Sequence, residues 1–209
     1  MYKNKNWLNI LMYFLLARLI IICIVFILYL LEIYLLRTDL EKLEYVSSLR
    51  DYTYYPSLII SILTSIVFII WFYREYFNTK EIYLPNKVSY HPTLAIFSFF
   101  IPILNLFIPL KIMDEITDGY IYTKKLKTDA ITQNQLNAWW FSYIIYFGLG
   151  RLTSNSNGKQ LSLEELNTKY ILYEIAAIFG IISLYFLIGI LRKLKTANDN
   201  NLSDKLNIQ

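Results

Sequence analysis

Three carboxylates fall within one short stretch, at Asp114, Glu115 and Asp118. On a helix, residues four apart share a face, so Asp114 and Asp118 would turn their oxygens toward one point, with Glu115 beside them. Such a pair can hold a magnesium ion or act as acid and base on a lipid. Against this, acidic residues early in a helix also complement its dipole, and Lys111 stands four residues before Glu115 and can pair with it. No second acidic cluster completes a metal site, so a solvated structural role outweighs the chemical one. No metal and no cofactor are expected.

Asn105 lies between Pro102 and Pro109 in the apolar run 99–109. Its amide can coordinate a cation or a polar ligand. It can equally satisfy carbonyls that a proline frees, or cap the following helix, and this second role weighs more. Arg18 interrupts the first apolar run. An intramembrane arginine can bind a phosphate or carboxylate, although its stem can also snorkel to the interface or its head can pair with Asp114 or Glu115. Glu32 and Glu174 fall near matching ends of their runs, with Arg37 and Arg151 at the same level. They can form a cation or proton path, but an Arg151–Glu174 pair is the simpler reading. The one histidine, His91, precedes Pro92 and reads as interfacial. With the one cysteine, Cys23, it is too few for a disulfide framework or a His/Cys zinc cluster.

These side chains must be positioned by membrane helices. The chain has 209 residues, 56% of them hydrophobic, with mean hydropathy +0.39, above the roughly 45–50% apolar content of soluble domains. The net charge of +4 sits in short clusters at the ends of apolar runs, the pattern of a membrane protein rather than of a nucleic-acid binder. Four runs are long enough to cross a bilayer: 11–36, 55–73, 136–152 and 170–191. The fold class expected is therefore all-α integral membrane, a single polytopic domain over 1–195 followed by a polar, disordered tail at 196–209. The first run has no small-residue cleavage site, so it reads as a retained span.

The segment 94–110 is shorter and carries Pro102 and Pro109. Basic residues decide its course. If it crosses fully, eight of them fall on one face and eleven on the other. If it enters and returns, Lys111, Lys124, Lys125, Lys127 and the basic residues after the last run join the N-terminal face, giving thirteen against six. The positive-inside rule then favours a re-entrant or kinked hairpin with both termini cytoplasmic. The loops 38–54 and 153–169 face the other side. After Pro109 the spacing of Leu110, Met113, Ile116, Tyr120 and Ile121 predicts an amphipathic surface helix over 110–122. Ser162-Leu163-Glu164-Glu165 has the spacing of a capping box.

The order of motifs resembles a known family. Trp71-Phe72-Tyr73-Arg74 closes the second run, with Asn78 beyond it. The sequence Phe99-Phe100-Ile101-Pro102-Ile103-Leu104-Asn105-Leu106-Phe107, with Pro109, comes next, then Asp114-Glu115-Ile116, Leu136-Asn137-Ala138-Trp139-Trp140 and Leu191-Arg192-Lys193-Leu194. This series resembles the bacterial membrane family called domain of unknown function 4328, over about Leu11 to Leu194. The resemblance implies a bacterial cytoplasmic (inner) membrane protein and no particular activity.

No phosphate loop, nucleophile elbow or metalloprotease helix is present in the sequence. The expected function is a non-enzymatic accessory, sensor or partner-binding module, in contact with the lipid bilayer and with another membrane protein or its own copies, and not with nucleic acid. An immunity-type protein against a membrane-acting toxin is a special case. The alternatives are a small oligomeric transporter or channel built on the proline-bracketed segment, or a lipid enzyme using Asp114, Glu115 and Asp118.

Overall fold

The computed structural model describes residues 5–84, 87–123, 126–127, 130–154 and 162–206. Lys3, Lys124, Lys125, Lys159 and the side chains of Arg37 and Lys205, all used in the charge count, lie outside the described residues. Six α-helices follow in order: α1 (Lys5–Thr38), α2 (Leu40–Asn78), α3 (Leu94–Phe97), α4 (Pro102–Tyr122), α5 (Gln133–Ser154) and α6 (Leu163–Leu206). Among the described residues no strand occurs. Three helices, α1, α2 and α6, are long and apolar enough to cross a membrane.

The long helices pack antiparallel in sequence order. Glu32 late in α1 meets Arg50 early in α2, while Trp7 at the start of α1 lies under Arg74 late in α2. Tyr29 of α1 stacks on Tyr173 of α6 at 4.9 Å. Ser183 of α6 donates to the Trp139 carbonyl of α5, and Lys193 donates to Gln135. The near end of the bundle thus holds the start of α1 and the last turns of α6, and the far end holds the α1–α2 turn. Gly180 is needed where α5 and α6 approach, because a Cβ there would come 3.0 Å from the Tyr146 ring. Ile20, Ile24 and Ile27 of α1 and Ile59, Ile62 and Ile66 of α2 face outward.

Three expectations change. The stretch 38–54, read as a loop from its charges, is the first third of α2. Asp39 caps it, accepting the Lys42 N–H at 3.1 Å, and the helix continues through Pro56. The polar tail from Thr196, expected to be disordered, continues α6 to Leu206, with Ala197 buried in the core. The surface helix expected over 110–122 is the second part of α4, which begins at Pro102. Its residues Ile112, Met113, Ile116 and Tyr120 are buried. By contrast the capping box forms as expected: Ser162 N–H donates to Glu165, and Glu165 N–H donates to the Ser162 hydroxyl.

Candidate functional site

The proline-bracketed segment is built by local rules. After α3, the N–H groups of Phe99, Phe100 and Ile101 turn back onto the carbonyls of Ile96 and Phe97. Ile101 must be extended because a proline follows it, and its φ of −99° and ψ of 113° obey. Pro102 then takes the first position of α4, where its missing N–H costs nothing. Pro109, just before the helix expected over 110–122, is inside α4. There it cannot donate to the Asn105 carbonyl, and its ring crowds the preceding turn. The indole N–H of Trp140 donates to the Leu106 carbonyl of that turn at 2.9 Å. The Asn105 Oδ1 is buried with no hydrogen-bond partner among the described residues.

The turn between α3 and α4 packs against the bundle. Phe99 packs edge-on against Phe68 and Phe72 of α2 and Trp140 of α5, with centroids 5.8, 5.6 and 6.4 Å apart. Trp140 lies seven residues into α5, so the tip reaches about 10 Å past the helix start. Phe97, Phe100, Ile103 and Phe107 stay exposed and form an outward apolar ridge.

Two tyrosine–carboxylate bonds hold the returning half of α4 at the near end. Tyr76 of α2 donates to Glu115 at 2.6 Å, and the Ser89 N–H donates to the same carboxylate at 3.2 Å. Tyr120 of α4 donates to Glu75 of α2 at 2.8 Å and accepts from the Asn198 amide of α6 at 2.7 Å. Glu75 and Glu115 are both buried. Burial and the Glu75 carboxylate push the Tyr120 phenol well up, so it stays a donor. The buried Gly119 lets α4 approach the π-helical turn Thr79–Tyr83; a Cβ would lie 3.1 Å from Thr79 and 3.2 Å from Tyr83.

The acidic trio is thereby split. Glu115 points into the clamp rather than toward Lys111, while Asp118 is exposed and Asp114 half-buried. Among the described residues no group of three His, Cys, Asp or Glu side chains can hold a metal ion. Burial, then the Asp118 charge, raises the Asp114 carboxyl above its usual range. A carboxyl raised on folding opposes the fold when ionised, and the penalty vanishes as pH falls below its unfolded pKa. Asp114→Asn should therefore raise the melting temperature at pH 7, with the gain disappearing toward pH 3 in thermal scans of both proteins.

Arg18 meets neither Asp114 nor Glu115. It lines a cavity of about 240 Å³ between α1, α2, α5 and α6, closed on one side by Phe99 and Phe100. Its guanidinium lies 5.9 Å from the Tyr146 ring centroid, and its Nε has no hydrogen-bond partner among the described residues. At the far end Glu32 pairs with Arg50 at 3.0 Å. Arg50 also lies 5.4 Å from the Tyr29 ring and 5.9 Å from that of Tyr170. The expected Arg151–Glu174 pair is not formed: Arg151 lies over Phe147, and both Glu174 oxygens are buried without a hydrogen-bond partner among the described residues. His91 is exposed, its Nδ1 2.8 Å from the Thr93 hydroxyl.

Glu75, Tyr76, Tyr120, Asn198 and Arg50 were not singled out from the sequence. Only Glu75 carries a signal there, as an acidic residue at the end of an apolar run. A family model described as a domain of unknown function (DUF4328) matches residues 36–196. The chain belongs to the DUF4328 family. The DUF4328 match takes in the hairpin, the tyrosine–carboxylate clamp up to α6, and the cavity walls from α2, α5 and α6. It begins at the end of α1, so Arg18 and Glu32 precede it, and it stops two residues before Asn198. No curated protein and no solved structure matches the chain.

Proposed function

We propose that this DUF4328 protein is a non-enzymatic partner-binding module of the bacterial cytoplasmic membrane. In this reading α1, α2, α5 and α6 cross the bilayer, both termini are cytoplasmic, and the α3–α4 hairpin enters and leaves from the cytoplasmic side. Its apolar ridge is the contact surface for another membrane protein. The observation that carries the reading is the division of labour along the hairpin. Its return is clamped by buried carboxylates, while Phe97, Phe100, Ile103 and Phe107 project outward. A rigid element with exposed aromatics suits helix-to-helix recognition, since aromatic anchors dominate interface energies. The acid–base groups of the near end support a non-enzymatic role, because Glu75 and Glu115 are already engaged by Tyr120 and Tyr76.

A photocrosslinking amino acid in place of Phe107, in cells of the native host, tests this. A discrete protein adduct at Phe107 and none at Ile24, an outward residue of α1, is the expected result. Lipid adducts alone at both positions would overturn the partner-binding reading.

A further inference from the structure

Arg18 stands midway along α1 and is half-buried. It lies eleven residues past Trp7 and fourteen before Glu32, about 16 and 21 Å along α1 at ~1.5 Å per residue. The described cavity around it has no other charged side chain. Three hydroxyls in its wall are spent on backbone: Thr64 donates to the Ile60 carbonyl, Ser65 to that of Ser61 and Ser183 to that of Trp139. The guanidinium therefore has aromatic company and a buried, unused Nε–H. A half-buried guanidinium with no carboxylate beside it is open to a counter-charge from a ligand, and intramembrane charges usually serve a ligand or a path.

The shape of the cavity selects the counter-charge. Phe68, Trp139 and Tyr143 give it apolar walls, and the residues at its rim, Ser65 and Phe100, are exposed on the outer face of the bundle. Entry is thus lateral, between α2 and the hairpin tip, from the space that lipid would fill. A freely hydrated ion has no route through that rim, whereas a lipid-soluble acid does. At about 240 Å³ the space exceeds the ~150 Å³ that accepts benzene in an apolar core. It admits one chain rather than a whole phospholipid.

We infer that this cavity is a binding site for a single-chain lipophilic acid, whose carboxylate or phosphate head pairs with Arg18 while its chain lies on Phe68, Trp139 and Tyr143. This goes beyond the partner-binding reading and does not depend on it.

The test uses the full-length protein in nanodiscs, with brominated decanoic acid as a quencher of tryptophan fluorescence, because Trp139 and Trp140 line the cavity. Quenching should saturate. The matching brominated alcohol should bind at least about tenfold more weakly, as should the acid to Arg18→Gln, since a charge-assisted hydrogen bond is lost. Nanodiscs containing brominated phosphatidylglycerol distinguish the source: saturable quenching there, with none by the free acid, would replace the single-chain ligand with an acidic phospholipid and overturn the assignment.

Thermal melts supply the second readout. Removing a half-buried charge that has no carboxylate partner among the described residues should leave ligand-free Arg18→Gln at least as stable as the parent, and decanoic acid should raise the melting point of the parent alone. A purely structural Arg18 would give the opposite sign, a variant less stable without ligand. Quenching that grows linearly with acid and is unchanged in Arg18→Gln would mean partition into the bilayer and no site.

Discussion

Replacing Glu115 with leucine should cost about 3 kcal/mol, because two hydrogen bonds to one buried carboxylate are worth roughly 1.5–3 kcal/mol each and their donors cannot be rehydrated. Those donors are the Tyr76 hydroxyl and the Ser89 N–H. The loss should be local before it is global: amide exchange should quicken first over α3 and α4, whose position depends on the clamp. Adding Tyr76→Phe to Glu115→Leu should cost much less than Tyr76→Phe alone, since the shared bond is already gone. Equal and additive costs in chemical unfolding would mean that the two side chains act independently. Glu115→Gln should fall between, because the amide oxygen still accepts while its NH₂ faces a second donor.

The second large effect is expected at the other end of the bundle. Glu32 is fully buried, and Arg50 supplies its one hydrogen bond among the described residues, leaving Oε1 without a partner. Arg50→Met strands that carboxylate and should cost about 3–5 kcal/mol, the usual penalty for breaking one side of a buried pair. It also removes the cation that lies over the Tyr29 and Tyr170 rings. The double variant Glu32→Met/Arg50→Met should regain most of the loss, because replacing both members with apolar groups of similar size is often neutral. A double variant as unstable as Arg50→Met would show that the aromatic stack, not the ion pair, carries the stability.

Much of the architecture is legible in the sequence because it is local. The long apolar runs give α1, α2 and α6, Ser162 and Glu165 give a reciprocal cap, and the two prolines mark a broken segment. The misreadings share one cause. The polar character of 38–54, 110–122 and 196–209 suggests a loop, a surface helix and a free tail, yet each contributes buried residues: Val46, Met113 and Ala197. Asp39 caps α2, Glu115 accepts hydrogen bonds inside the fold, and Asn198 reaches Tyr120. Tyr76 and Glu115 stand 39 residues apart, and Glu75 and Tyr120 stand 45 apart. No spacing rule of helices or strands connects residues so distant, so the clamp appears only once the chain is folded. Either proline suits a helix start, and the extended Ile101 shows that Pro102 occupies it.

The central claim is that the segment around Pro102 and Pro109 turns back instead of crossing the bilayer. Single cysteines in a Cys23→Ser background test it most directly, at Lys127 after α4 and at Glu164 in the first turn of α6, both exposed. With a membrane-impermeant maleimide on intact cells, the account predicts labelling of Glu164→Cys at once and of Lys127→Cys only after permeabilisation. Labelling of Lys127→Cys from outside, with Glu164→Cys protected, would contradict it.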